Sequence, residues 1–148
     1  MKIKQITANK KQYLDLLLLA DESEDMIDLY LEEADMFVLE NPHVVASCVV
    51  SKHSSTIFEI KNLATSPSEQ RKGYGRQLVQ YIFNHYKCKG AYTIIVGTGE
   101  SPLTLPFYQS CGFVIYDRIE NFFTIHYPNP IIEEGIILKD MILLKKEL

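Results

Sequence analysis

The chain has 148 residues, 47% hydrophobic and 23% charged, enough for one real core and too few for a second domain. Nineteen acidic against fifteen basic residues give a net charge of −4, which argues against a nucleic-acid binder with its basic footprint. Three scattered cysteines without C-x-x-C spacing, and no apolar run longer than Leu16–Ala20, exclude a disulfide scaffold and a membrane span; a reduced, cytoplasmic protein is the expectation.

Residues 2–7 alternate lysine or glutamine with isoleucine, which predicts a strand. From 10 to 20, Tyr13, Leu16, Leu17 and Ala20 recur at three- and four-residue steps, the spacing of a helix with one buried stripe. The acidic run 21–25 reads as the solvated start of a second helix over 26–34. Residues 36–40, 44–52 and 56–65 read as three strands in hairpins, separated by Asn41-Pro42 and His53-Ser54-Ser55. A glycine-bearing turn then opens a helix whose apolar side is Leu78, Val79, Ile82 and Phe83 and whose stop is Gly90. Residues 92–96 are a buried strand ended by Gly97-Thr98-Gly99, and 102–111 a helix with proline in its first turn. Strands over 113–119 and 136–145 flank a Pro- and aromatic-rich segment, 120–135. The order predicts one α/β (α+β) domain over 1–148: a mixed, mostly antiparallel sheet of about seven strands flanked by about four helices. Strands 56–65 and 92–96, joined through a helix, should be parallel with a right-handed crossover.

The turn Gln70-Arg71-Lys72-Gly73-Tyr74-Gly75-Arg76 places two glycines and three cations at a helix N-terminus, a site for a phosphate or pyrophosphate. A Walker loop is excluded because Arg76 and Gln77 follow Gly75; a dinucleotide fingerprint fits poorly because Leu78 stands where it needs a small residue. The pattern Q-x-x-G-x-G after Asn62-Leu63-Ala64-Thr65-x-Pro67 resembles the acetyl-CoA signature of the GNAT superfamily of N-acetyltransferases. Phe107-Tyr108-Gln109-Ser110-Cys111-Gly112-Phe113 is similar to that family's tyrosine-bearing helix and Gly-Phe strand start, and the element order is the family's over the whole chain.

The resemblance implies the acyl-CoA N-acyltransferase fold, acetyl-CoA as cosubstrate and a primary amine of a small molecule or peptide as acceptor. It assigns the N–H groups of residues 70–76 to the CoA pyrophosphate. Leu63, Ala64 and Thr65 would present backbone groups to the pantetheine arm where their strand splays from its neighbour. Ser101 either caps the next helix or touches the cofactor. Tyr108 falls where the family places a tyrosine near the CoA sulfur, as acid to the departing thiolate. Glu59, a carboxylate in mid-strand, is either the water-mediated base or the ion-pair partner of Lys61. No two histidines or cysteines have ligand spacing, so no metal is expected.

The stretch Asn121-Phe122-Phe123-Thr124-Ile125-His126-Tyr127-Pro128-Asn129-Pro130, with Asp140-Met141 after it, resembles a segment in some bacterial members of the family. Phe122, Phe123 and Tyr127 suit an acceptor pocket by stacking; they equally suit packing on their own core or on a second copy, as a homodimer. Glu133 and Glu134 would attract a cationic amine. Two other readings stay open: a non-catalytic CoA-binding module, and a nucleotide-handling enzyme using the same anion turn.

Overall fold

A computed structural model describes residues 1–148. Its strands are β1 (Lys2–Ile6), β2 (Asp35–Glu40), β3 (Val44–Lys52), β4 (Ile57–Thr65), β5 (Thr93–Gly99), β6 (Val114–Ile119), β7 (Ile132–Glu133), β8 (Ile136–Ile137) and β9 (Met141–Glu147). Its helices are α1 (Leu14–Ala20), α2 (Glu24–Asp28), α3 (Tyr74–Cys88), α4 (Thr104–Ser110) and α5 (Phe122–His126). Seven strands form one sheet in the order β1-β2-β3-β4-β5-β9-β6, and β7 and β8 form a separate hairpin. Every pairing in the large sheet is antiparallel except β4 with β5, the expected parallel pair around α3. No helix is long and apolar enough to cross a membrane.

Around β2 the sheet is covered on both faces, so this strand is buried without alternation, as a two-sided strand requires. Phe37 and Leu39 join the core under α3 with Leu78, Val79, Ile82 and Tyr86. Met36 and Val38 point the other way, into a smaller core with Leu17, Ile27 and Leu31. Each such side chain removed from water contributes about 1.5–3 kcal/mol before ordering costs. A bulge in β4 changes which face its residues serve. Val50 pairs with Ile60 but Val49 with Asn62, so Lys61 is the extra residue. Ile60 therefore lies in the α3 core while Asn62 turns to the α1 side, where its amide donates to Leu17 O at 2.9 Å.

The structure departs from the sequence reading in five places. The helix expected over 26–34 stops at Asp28. Beyond it the chain keeps only scattered turn bonds, such as Leu31 N to Ile27 O and Ala34 N to Tyr30 O, and the buried Lys10 ammonium caps their end by taking the carbonyls of Leu31, Glu32 and Ala34. Upstream, residues 10–13 form a 3₁₀ turn before α1 begins. β5 runs on through Gly97, Thr98 and Gly99 because β9 pairs with all three. A Cβ on Gly97 would lie 2.5 Å from Met141 Sδ, and one on Gly99 2.6 Å from Leu138 Cδ1. The strand expected over 136–145 breaks at Lys139 and Asp140: Lys139 O accepts from Phe123 N, and Asp140 accepts from Asn121 N and Arg118. The aromatic segment supplies α5 and half of the β7–β8 hairpin, a fifth helix where about four were expected.

Candidate functional site

β4 and β5 are paired only from Ile57–Ile60 against Thr93–Val96. Beyond that, β4 stays with β3 and β5 with β9, and a wedge opens between residues 61–65 and 97–99. A cavity of about 330 Å³ fills it, walled by Leu63, Ala64, Thr65, Thr98 and Tyr108 among others. The β5-facing backbone groups of residues 61–65 thus have no strand partner; Gln70 Nε2 donates to Thr65 O at 3.2 Å. Unpaired strand groups facing a cleft are what an extended ligand with amides can satisfy.

The anion turn lies at one end of this wedge. Arg71 and Gly73 take left-handed backbone, with φ of 65° and 86°. The first bond of α3 here is Gln77 N to Gly73 O, so the N–H groups of Tyr74, Gly75 and Arg76 are the orphan donors of a 15-residue helix. A Cβ on Gly75 would meet Phe107 Cζ at 3.4 Å and Thr65 Oγ1 at 3.6 Å, so the glycine lets α3 close on α4 and the end of β4. The cations are not equivalent. Lys72 pairs with Glu69 at 3.0 Å, and Arg76 donates to Ser110, whereas Arg71 makes neither contact. The Tyr74 hydroxyl is taken by Asn41 Nδ2 at 2.7 Å.

Tyr108, 7% exposed, reaches the cavity from α4 between the rings of Phe107 and Phe113. Burial, reinforced by Cys48, Cys111 and Glu133, pushes its phenol far above the ordinary value, so it is a neutral donor across the physiological range. Glu59 is not brought to the cavity wall. Its Oε1 lies 2.6 Å from His53 Nε2 and its Oε2 3.7 Å from Lys61 Nζ. Of the two alternatives read from the sequence, the carboxylate has the geometry of the pair with Lys61, and His53 is an unforeseen closer partner. Lys61 does line the cavity, its ammonium 5.5 Å from the Tyr30 ring centre.

Ser101 is buried behind the wall. It accepts from Leu103 N at 3.1 Å and donates to Glu133 Oε1 at 2.9 Å, so it shapes the entry to α4 and steadies a cleft carboxylate. Of the three aromatic residues expected in an acceptor pocket, Phe123 and Tyr127 line the cavity. Phe122 instead packs on His126 and Phe123. Sequence reasoning missed Asp21, treated there as part of a solvated charge run. Asp21 lines the cavity and accepts from Tyr127 Oη at 2.9 Å and Tyr30 Oη at 3.4 Å. Its one local signal was its position in a break between two amphipathic stretches.

Residues 32–115 match the family model of the acetyltransferase (GNAT) domain. The chain is 40% identical over 136 residues to the uncharacterized N-acetyltransferase YvbK of Bacillus subtilis (strain 168), an alignment covering 90% of this chain and 88% of the relative. Among solved structures, a GNAT family acetyltransferase from Elizabethkingia anophelis with acetyl-CoA bound superposes with a TM-score of 0.93 at 38% identity, over 99% of this chain and 97% of that one. A Bacillus subtilis acetyltransferase in complex with CoA superposes with a TM-score of 0.91, also at 38% identity, over 99% and 98% of the two chains.

Proposed function

The chain belongs to the GNAT family of acetyltransferases, and from that premise we propose that it moves the acetyl group of acetyl-CoA to a primary amine by direct attack. The observation that carries the reading is the continuity of the wedge. The cavity takes in Gln70 of the anion turn, the unpaired edge of β4 and Tyr108, and the start of α3 abuts it, where a Cβ on Gly75 would meet Thr65 Oγ1 at 3.6 Å. Those parts suit a pyrophosphate, an extended amide-bearing arm and a thioester in that order, and the two similar structures hold acetyl-CoA and CoA.

In this reading the turn 70–76 anchors the phosphates through backbone N–H groups and Arg71, the cation left free for them. Leu63 and Thr65 extend the β4 ladder to the arm. The neutral amine attacks the thioester carbonyl carbon, the carbon–sulfur bond breaks, and the nitrogen gives its extra proton to water. Tyr108 donates a hydrogen bond to the sulfur as negative charge develops there. Its buried phenol is a weaker acid than a thiol of pKa about 8.5, so the proton stays on oxygen and the thiolate takes its own from solvent. Glu59 has no part in this scheme, since a base must reach the amine directly or through one water and both its oxygens face His53 and Lys61.

The experiment is free-thiol release from acetyl-CoA across a panel of primary amines, with the product identified by mass. Amine-dependent release is expected. Binding of acetyl-CoA with no acetylated product from any amine would make the chain a CoA-binding module instead, and a thermal shift with ATP but none with acetyl-CoA would remove both readings.

A further inference from the structure

Three carboxylates, those of Asp21, Glu22 and Glu133, line the cleft with one ammonium, Lys61, which is already engaged by Glu59 and Tyr30. Asp21 is the best held of the three. Its Oδ1 accepts from Tyr127 Oη at 2.9 Å and Ser23 N at 3.3 Å, and its Oδ2 from Tyr30 Oη at 3.4 Å. Burial pushes both phenols well above their ordinary value, with the Asp21 charge adding to it, so they donate and the negative charge stays on the carboxylate. A carboxylate offers about four acceptor sites, so three donors leave room for one charged N–H. Beside it, Asn62 is 3% exposed and lines the same wall; its amide donates to Tyr30 Oη at 3.3 Å, and its Oδ1 has no partner in the chain. Tyr30 Oη links the two, and a fixed anion on the wall with an unpaired acceptor buried behind it suits a cation that donates more than one hydrogen bond. Leu19, Phe123, Ile131 and Ile132 make the adjoining wall apolar.

Resting on the acetyltransferase reading, we infer that Asp21 selects acceptors carrying a second ammonium, separated from the reacting amine by a methylene chain: α,ω-diamines and polyamines. The held cation is not the reacting one. Pairing with a carboxylate raises an ammonium's pKa and would deplete the neutral nucleophile. The apolar wall takes the methylenes, and an amino acid with its carboxylate beside the amine is repelled by the three cleft carboxylates.

The test compares 1,5-diaminopentane with n-pentylamine, which has the same chain and no second cation. In the wild type the diamine should show a KM at least tenfold lower. Asp21→Asn should bring the two KM values within about threefold of each other, with the KM for acetyl-CoA unchanged. Tyr127→Phe, which keeps the ring and removes one donor to Asp21, should narrow the ratio in the same direction and serves if D21N does not fold. Equal KM values in the wild type, or an undiminished ratio in the variants, overturns the inference. Calorimetric titration of the diamine into the CoA-loaded protein reads the same site without turnover. Binding of the diamine that is at least tenfold tighter than of pentylamine, and weakened in the variants, supports the inference even if no amine is acetylated and the catalytic reading falls. Equal binding of both amines overturns it.

Discussion

Arg76 reaches Ser110 twice, donating from Nη1 to its carbonyl oxygen at 3.1 Å and from Nη2 to its hydroxyl at 2.6 Å. The serine hydroxyl in turn donates to Phe107 O at 2.6 Å. A cation read from the sequence as a phosphate ligand is therefore also a brace between the anion turn and the helix that carries Tyr108. Arg76→Ala should cost about 1 kcal/mol of stability, the scale for charge-assisted bonds at a partly exposed site. It should also raise the KM for acetyl-CoA and lower kcat together, because turn and phenol lose their common frame. Urea denaturation and steady-state kinetics check both; a change in KM alone would make Arg76 a simple phosphate contact.

Gly73 sits at φ 86° with nothing within 4 Å of where a Cβ would stand. Gly73→Ala therefore costs backbone strain rather than a clash, about 1–2 kcal/mol. As the residue also sets the path of the anion turn, acetyl-CoA should protect the variant against heating less than it protects the wild type. Melting curves with and without acetyl-CoA measure this directly.

Tyr108→Phe removes the donor and keeps the ring between Phe107 and Phe113. Loss of one oriented donor to a developing anion should lower kcat by about 10²-fold, with little change in KM for acetyl-CoA. Glu59→Gln should leave kcat within about threefold, whereas loss of a general base would cost about 10²-fold or more. The two variants assayed side by side decide between the two groups singled out from the sequence.

With no base in the scheme, the neutral fraction of the amine governs the rate. For an alkylamine, kcat/KM should rise about tenfold per pH unit between 7 and 9. Burial of Tyr108 keeps its phenol protonated throughout, so no decline from its ionisation should appear in that range. A plateau near pH 7 would reveal a base in the cleft.

Several groups shape the response to acid, His85 and the carboxylates Glu40 and Asp140 among them. His85 is held below its ordinary 6.5 by burial and then by Lys89, so the unfolded chain takes the proton first and stability falls as pH drops from about 6.5 through the folded value. Asp140 is held below 3.8 by the Asn121 N–H and then by Arg118, so its contribution is intact above about 3.8 and is lost as pH falls through its lower folded value. Urea midpoints measured from pH 8 to 3 should fall in two stages, and Asp140→Asn should flatten the second.

What could be read from the sequence was what is local. The turn 70–76 and the Tyr108 helix are contiguous runs, recognisable without their distant partners, such as Asn41 at Tyr74 and Ser110 at Arg76. Asp21 was misread because its decisive partner, Tyr127, is 106 residues away. The face that Asn62 serves depends on the bulge at Lys61, which sets it on the side opposite Ile60 although the two are only two residues apart. The break at Lys139 and Asp140 depends on Phe123, Asn121 and Arg118, whose bonds to those two residues no periodicity reports.

The parting of β4 from β5 leaves the molecule as two half-sheets held side by side by one short seam, Ile57–Ile60 against Thr93–Val96. On the proposed reading the acetyl donor lies in the gap as a missing strand, and it is consumed in every cycle. The protein then lends part of its own scaffolding to a metabolite: it stiffens when the donor arrives, slackens when the product leaves, and holds together most firmly when acetyl groups are plentiful.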